Sequence, residues 1–171
     1  MSHIAVSHSP ENESYQKQGY LSPIRVMSAE EAARIADKVA GIEAEHGVEG
    51  ADILRSNTHF LFPELYDLIL SPAILDHVEK VLGPDILCWS SSFFSKSAHD
   101  PSFVSWHQDL TYWGLEPEDI VTAWVAITPS TRESGCMKVL PGTHAPGQLS
   151  HSDTFAANNL LSRGQVLDVD V

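Results

Sequence analysis

The chain has 171 residues, 43% hydrophobic and 19% charged, the make-up of a globular protein with length for one domain and a sizeable core. Its 23 acidic against 10 basic residues give a formal net charge of −13, which repels polyphosphate backbones and anionic membranes and sets both aside as partners. No apolar run approaches the roughly 18 to 20 residues of a membrane span, "MSHIAVSHSPENES" lacks the basic-then-apolar layout of a secretory signal, and two cysteines, Cys88 and Cys136 in apolar runs, suit a reducing cytoplasm better than a disulfide framework.

Residues 1–14 are polar, with a proline, asparagine and several serines, and are expected to form a flexible arm carrying His3 and His8. From Ser28 the pattern turns helical. Ser28 and Glu31 make a capping box, and Ala32, Ile35, Ala36, Val39 and Ile42 follow at helical spacing until Gly47. "FPELYDLILSPAILDHVEKVLG" predicts two helices broken at Ser71-Pro72, since proline suits a first helical turn and stops the preceding helix; Gly83-Pro84 closes the second. His46 and His77 fall on these helices as solvated groups. After Pro84 come short β-type runs separated by turn residues: "DILCWSSSFFSK", "FVSWHQD", "IVTAWVAIT", "GCMKVLPG" and "GQVLDVDV". Helices first and strands later predict an α+β, mainly β protein whose later part is a sandwich or barrel. The last run meets Val171 without a turn, cap or polar tail, as a chain cut within a strand would.

His107 and Asp109 stand out in "SWHQDLTYW". In a strand, residues i and i+2 share a face, so an imidazole and a carboxylate would project side by side while Gln108 faces the other way. One nitrogen and one hard oxygen donor at that spacing fill adjacent positions on a divalent metal. They are two thirds of the 2-His-1-carboxylate triad that leaves positions open for substrate and dioxygen. For so short a motif the alternative is a pair of solvated polar groups at a strand end. Trp106 and Trp113 flank the pair, which suits an aromatic-walled pocket with few polar groups.

The stretch "FFSKSAHDPSFVSWHQDLTYWGLEPEDIVTAWVAITPSTRESGCMKVLPGTH" resembles the phytanoyl-CoA dioxygenase family of iron(II) and 2-oxoglutarate oxygenases, above all its bacterial members. A lysine ahead of H-Q-D, a tryptophan strand, an acidic-x-G-C turn and P-G-[ST]-H stand in the family's order. The likeness reaches upstream through "NTHFLFPELYDLILSPAILDHVEKVLGPDIL" and downstream into "NNLLSRGQ". It implies a double-stranded β-helix, a cupin-like jelly roll with N-terminal helices. His107 and Asp109 would be its catalytic pair and first two iron ligands, with Fe(II) as cofactor and 2-oxoglutarate and O2 as cosubstrates. The family's distal histidine, and the arginine that clamps 2-oxoglutarate by a bidentate pair, have no counterpart here, because neither His151 nor Arg163 lies in that context. The resemblance therefore implies that residues 15–171 are the N-terminal and central part of a single oxygenase domain, an incomplete jelly roll.

The same resemblance gives cofactor-binding roles to Lys96, as a cation facing the anionic cosubstrate, to Trp124, lining the 2-oxoglutarate pocket, and to Ser92 on the preceding strand. Taken alone, these residues equally suit a lysine in water, core filling and a satisfied strand hydroxyl. His59 in "SNTHFLFP", Tyr112 and Trp113 are candidates for the substrate side, against a helix-start histidine and core packing. His144 in "PGTHAPG" is expected to be a structural loop histidine with local hydrogen bonds rather than a ligand. Asp109 implies hydroxylation, since related halogenases carry a small residue in its place. The expected activity is hydroxylation of a small organic metabolite, with decarboxylation of 2-oxoglutarate to succinate, in the cytoplasm. The alternatives are a non-catalytic jelly-roll binding module that has lost the iron site and a zinc hydrolase using the same pair. Oligomeric state is not expressed in the sequence.

Overall fold

The computed structural model describes residues 9–47, 53–116, 119–161, 163 and 165–167. Helix α1 spans Pro10–Gln18: the Ser9 hydroxyl accepts from the Asn12 amide at 3.1 Å, proline opens the first turn, and Gly19 ends the helix at φ 80°. Residues 10–14 are thus helical where the composition suggested the end of a flexible arm. Their order comes from distant partners. Glu11 accepts from Lys80 at 2.5 Å and lies 3.3 Å from His77 Nδ1, so His77 is paired rather than merely solvated. His3 and His8 lie outside the described residues.

Helix α2 spans Ala29–His46 and carries the expected capping box, with Glu31 N donating to Ser28 Oγ at 3.2 Å and Ser28 N donating to Glu31 Oε2 at 2.8 Å; Gly47 closes it. A 3-10 turn at Thr58–Phe60 leads into α3, Pro63–Ile69, and α4, Pro72–Leu82. Both helices open on proline and break at Ser71-Pro72 as the sequence predicts, and Gly83 ends the pair. Lys38 of α2 donates to Glu64 of α3 at 2.7 and 2.8 Å, tying the two together.

Beyond Gly83 the described backbone is largely irregular. Of the five predicted β runs, the last supplies β2, Val166–Leu167, which pairs antiparallel with β1, His151–Ser152, in the register His151↔Leu167 and Ser152↔Val166. β1 lies outside every predicted run. Phe103, in the second run, makes an isolated parallel bridge with Asn159. The runs at 85–96, 120–128 and 135–142 contain no strand among the described residues. Alternating apolar residues favour an extended backbone, whereas a ladder also needs a neighbouring strand roughly 4.8 Å away. The 85–96 segment instead makes single bonds to the chain ahead of α3: Phe93 N donates to Leu54 O at 2.7 Å, and Ser91 O accepts from Thr58 N at 3.2 Å. Regular structure among the described residues is therefore mostly helical rather than mainly β, and the two sheets of a jelly roll are not formed by them.

Among the described residues the buried apolar ones are Leu54, Leu65 and Leu167, while Leu87, Phe60 and Phe94 stand largely in solvent. Cys88 and Cys136 are free thiols. Among the described residues no helix is long and apolar enough to cross a membrane.

Candidate metal centre

Asp109 has helical dihedrals, φ −58° and ψ −38°, and leads directly into the single turn of α5, Leu110–Trp113. The two side chains therefore meet across a turn, not by strand alternation. His107 Nε2 lies 3.2 Å from Asp109 Oδ1. The other ring nitrogen, Nδ1, is 2.9 Å from the Ser105 carbonyl, which can only accept, so Nδ1 carries a proton and Nε2 is the nitrogen turned toward Asp109. The second carboxylate oxygen, Oδ2, accepts from the Thr122 hydroxyl at 2.5 Å. Tyr112 meets the imidazole edge-on, with ring centroids 5.7 Å apart at 82°.

The hydrogen bond to Asp109 raises the His107 pKa against the opposing effect of burial. The same bond, joined by that from Thr122, lowers the Asp109 pKa. Both shifts favour the charged forms, an imidazolium facing a carboxylate. The pair also fits a divalent cation. Donors on neighbouring octahedral positions, each about 2.1 Å from the ion, lie about 3 Å apart, close to the observed Nε2 to Oδ1 distance. A second ring nitrogen bound to a main-chain carbonyl is the usual support of a metal-binding histidine. Among the described residues no third His, Cys, Asp or Glu joins the pair.

Gln108 clamps the turn. Its side chain accepts from Leu149 N at 2.7 Å and donates to Gly147 O at 3.1 Å, while its main-chain N donates to His151 Nε2 at 2.9 Å. His151 Nδ1 sits 2.9 Å from Leu149 O, which fixes the neutral tautomer with its proton on Nδ1. On the opposite side the Ser105 hydroxyl donates to the Gln165 carbonyl, Asn159 Nδ2 donates to Ser105 Oγ at 2.9 Å, and Leu167 N donates to Trp106 O at 2.9 Å. These supports went unseen in the sequence. Their partners stand 39 to 61 residues away, and no local pattern marks them.

A cavity of about 400 Å³ opens beside α5, walled in part by Leu110, Thr111, Leu115, Leu149, His151 and Gln165. Its wall includes none of His107, Asp109, Trp106 and Trp113, so the aromatic enclosure expected around the pair is not what bounds this space. Among the substrate-side candidates, Tyr112 is brought to the pair, Trp113 is half-buried at the end of α5, and His59 is elsewhere. His59 is buried and held by Ser91, whose hydroxyl lies 2.7 Å from Nδ1 and 3.1 Å from the His59 main-chain N. It lines a second cavity of about 370 Å³ with Phe60, Tyr66 and Asp67. Ser92 itself is exposed; its neighbour Ser91 is the engaged hydroxyl. Lys96 is exposed, and Trp124 is 47% exposed, two residues beyond Thr122. His144 is a structural histidine, but its partner is remote: Nε2 donates to Gln16 O, 128 residues away, at 3.0 Å.

The family model described as "Phytanoyl-CoA dioxygenase (PhyH)" matches residues 15–159. Human peroxisomal phytanoyl-CoA dioxygenase is 40% identical over 85 residues, 47% of this chain and 25% of that protein. A probable alpha-ketoglutarate-dependent hypophosphite dioxygenase of Stutzerimonas stutzeri is 28% identical over 148 residues, 76% of this chain and 51% of that one. A solved structure of a non-heme monooxygenase, ThoJ in its apo form, superimposes with a TM-score of 0.75 at 27% identity, covering 94% of this chain and 60% of that one. The matched region spans a quarter of the human relative and about half of the bacterial one.

Proposed function

The chain belongs to the phytanoyl-CoA dioxygenase family, and from that premise we propose that it carries two iron ligands of a 2-oxoglutarate-dependent dioxygenase that hydroxylates a small organic metabolite. The observation that carries this reading is the convergence of His107 Nε2 and Asp109 Oδ1 to 3.2 Å. These two atoms would hold Fe(II) on neighbouring positions. The bound iron would supply the redox chemistry by which dioxygen gives one oxygen atom to 2-oxoglutarate, which becomes succinate and carbon dioxide, and the other to the substrate, which becomes its alcohol.

The protein's share is to orient and to exclude. Ser105 O keeps the Nδ1 proton, so that Nε2 alone faces the ion. Thr122 occupies Oδ2 and leaves Oδ1 for coordination through one oxygen. Gln108 and His151 hold the turn between the ligands. Lys96, Trp124 and Ser92 are proposed for the cosubstrate side, and His59, Tyr112 and Trp113 for the substrate side, on their places in the family's motif order. The proposal includes the jelly-roll architecture for residues 15–171 as part of one domain, a small-molecule partner, and a cytoplasmic setting, to which the two free thiols are suited.

A specific observation favours the second reading, a binding module without iron chemistry: no third donor accompanies the pair among the described residues. The two separate in one assay. With Fe(II), 2-oxoglutarate and a panel of small hydroxylatable metabolites, the dioxygenase releases succinate in proportion to substrate oxidised, and Asp109→Ala abolishes that release while leaving the circular dichroism spectrum intact. Equal succinate release from wild type and Asp109→Ala removes Asp109 from the centre. Absence of succinate with every substrate, from a folded chain, favours the module.

A further inference from the structure

Gln165 is 1% exposed, yet no part of the chemistry above uses it. With its amide set by its neighbours, Nε2 donates to the Tyr112 hydroxyl at 2.8 Å and Oε1 accepts from Arg163 Nε at 2.6 Å and from Arg163 Nη2. Arg163 is in turn balanced by Asp153, 3.6 Å away. The main-chain carbonyl of Gln165 accepts from the Ser105 hydroxyl. Besides Asp109, the His107 ring meets the Ser105 carbonyl at Nδ1 and, edge-on, the Tyr112 ring. Both are tied to Gln165.

We propose that Gln165 is a positioning residue that fixes the His107 imidazole by two routes, from its main-chain carbonyl through the Ser105 hydroxyl and from its side chain through the Tyr112 phenol. This inference rests on His107 being a metal ligand only for its consequence in metal affinity, because the ring's orientation is a property of the metal-free protein. A carboxamide suits the position because it offers a donor to the phenol and an acceptor to the guanidinium at once. A carboxylate can also serve both, accepting from Arg163 and from the Tyr112 O–H. A thioether of the same length can serve neither, and it removes this partner from the phenol and from the exposed Arg163 guanidinium. Supports of this kind lie outside the ligand set and set the angle at which the ligand meets its ion.

The test compares Gln165→Met, Gln165→Glu and Tyr112→Phe with wild type in two measurements. In the metal-free protein, nuclear Overhauser contacts between the His107 and Tyr112 ring protons report the orientation. With Co(II) as probe, visible absorption reports the dissociation constant. Gln165→Met should lose the ring-to-ring contacts and bind Co(II) about 10-fold or more weakly. Gln165→Glu should keep both near wild type. Tyr112→Phe should weaken Co(II) binding in the same direction, and its combination with Gln165→Met should be less than additive, since both cut one route. If Gln165→Met does not fold, Tyr112→Phe, which deletes a single hydroxyl, carries both measurements. Unchanged contacts in the folded methionine variant, or a glutamate variant as impaired as methionine, overturn the proposal and leave Gln165 as packing. If wild type binds no Co(II), the metal reading falls, while the ring contacts still decide the role of Gln165.

Discussion

His107 stands between a carbonyl that keeps one proton on Nδ1 and a carboxylate that attracts a second to Nε2, and this sets how the site answers to pH. Its folded pKa is raised above the ordinary value, chiefly by the hydrogen bond to Asp109. The stability this provides is fully present below the unfolded value and is lost as pH rises through the raised folded value. Asp109 is shifted down, chiefly by the same bond, so its contribution is present above its unfolded value and is lost as pH falls through the lowered one. Between those limits the ion pair is intact. Since both side chains are partly exposed, removing it by Asp109→Ala costs less than about 1 kcal/mol of stability. A metal at Nε2 must displace the proton. Co(II) affinity is therefore expected to rise about tenfold per pH unit while His107 is protonated and to level off above its raised pKa. Calorimetry in buffers of different ionisation enthalpy should count one proton released per ion below that point, and a pH-independent affinity from pH 5 to 9 would place the cation elsewhere.

At the scale of elements, α1 shows how an end of the chain is held. Gly19 closes it at φ 80°, and a Cβ there would lie 2.5 Å from His144 Nδ1, the ring that grips the last turn through Gln16 O. Gly19→Ala must bear the left-handed backbone, a cost of about 1–2 kcal/mol, and must also push the His144 ring aside. In a chain of this length the melting temperature is expected to fall by about 4–8 °C. Ser28→Ala, which removes the α2 capping box, should cost about 1 kcal/mol and lower it by about 2–4 °C. Thermal melts followed at 222 nm check both, and a Gly19→Ala protein as stable as wild type would mean that His144 does not anchor α1.

These elements also show what the sequence can express. Ser28 with Glu31, the break at Ser71-Pro72 and the stop at Gly83 are encoded within a turn or two of where they act, and each appears where the pattern places it. Helix α1 was missed because its sequence is polar throughout; it is held by Lys80, His77 and His144. The β-type runs express a propensity for extended backbone, but pairing is a property of two segments, and only Val166–Leu167 finds a strand partner among the described residues. The spacing of His107 and Asp109 suggests a pair only through strand alternation, and their reading as ligands comes from the family resemblance. That they meet across a turn, steadied by Ser105, Thr122 and Gln165, depends on contacts between distant segments.

For the whole molecule the opposing quantities are apolar exposure and charge. Leu87, Trp89 and Phe94 project from the 85–96 segment at 85%, 53% and 62% exposure, and Phe60, Leu61 and Tyr66 form a second exposed group. The backbone around Leu87, Trp89 and Phe94 is in no strand among the described residues, and its exposed apolar side chains are a surface that favours association. The net charge of −13 works against this by mutual repulsion. Repulsion is screened within about 10 Å at 0.1 M salt and within about 3 Å at 1 M, while apolar contact is not weakened by salt. The 171-residue chain is therefore expected to bind the dye ANS, to stay dispersed at low ionic strength, and to associate as sodium chloride is raised, with light scattering growing in step with salt and protein concentration. A chain that is monodisperse at every salt concentration, melts cooperatively and leaves the dye dark would mean that those side chains are buried and the β-type runs paired, as in a closed jelly roll.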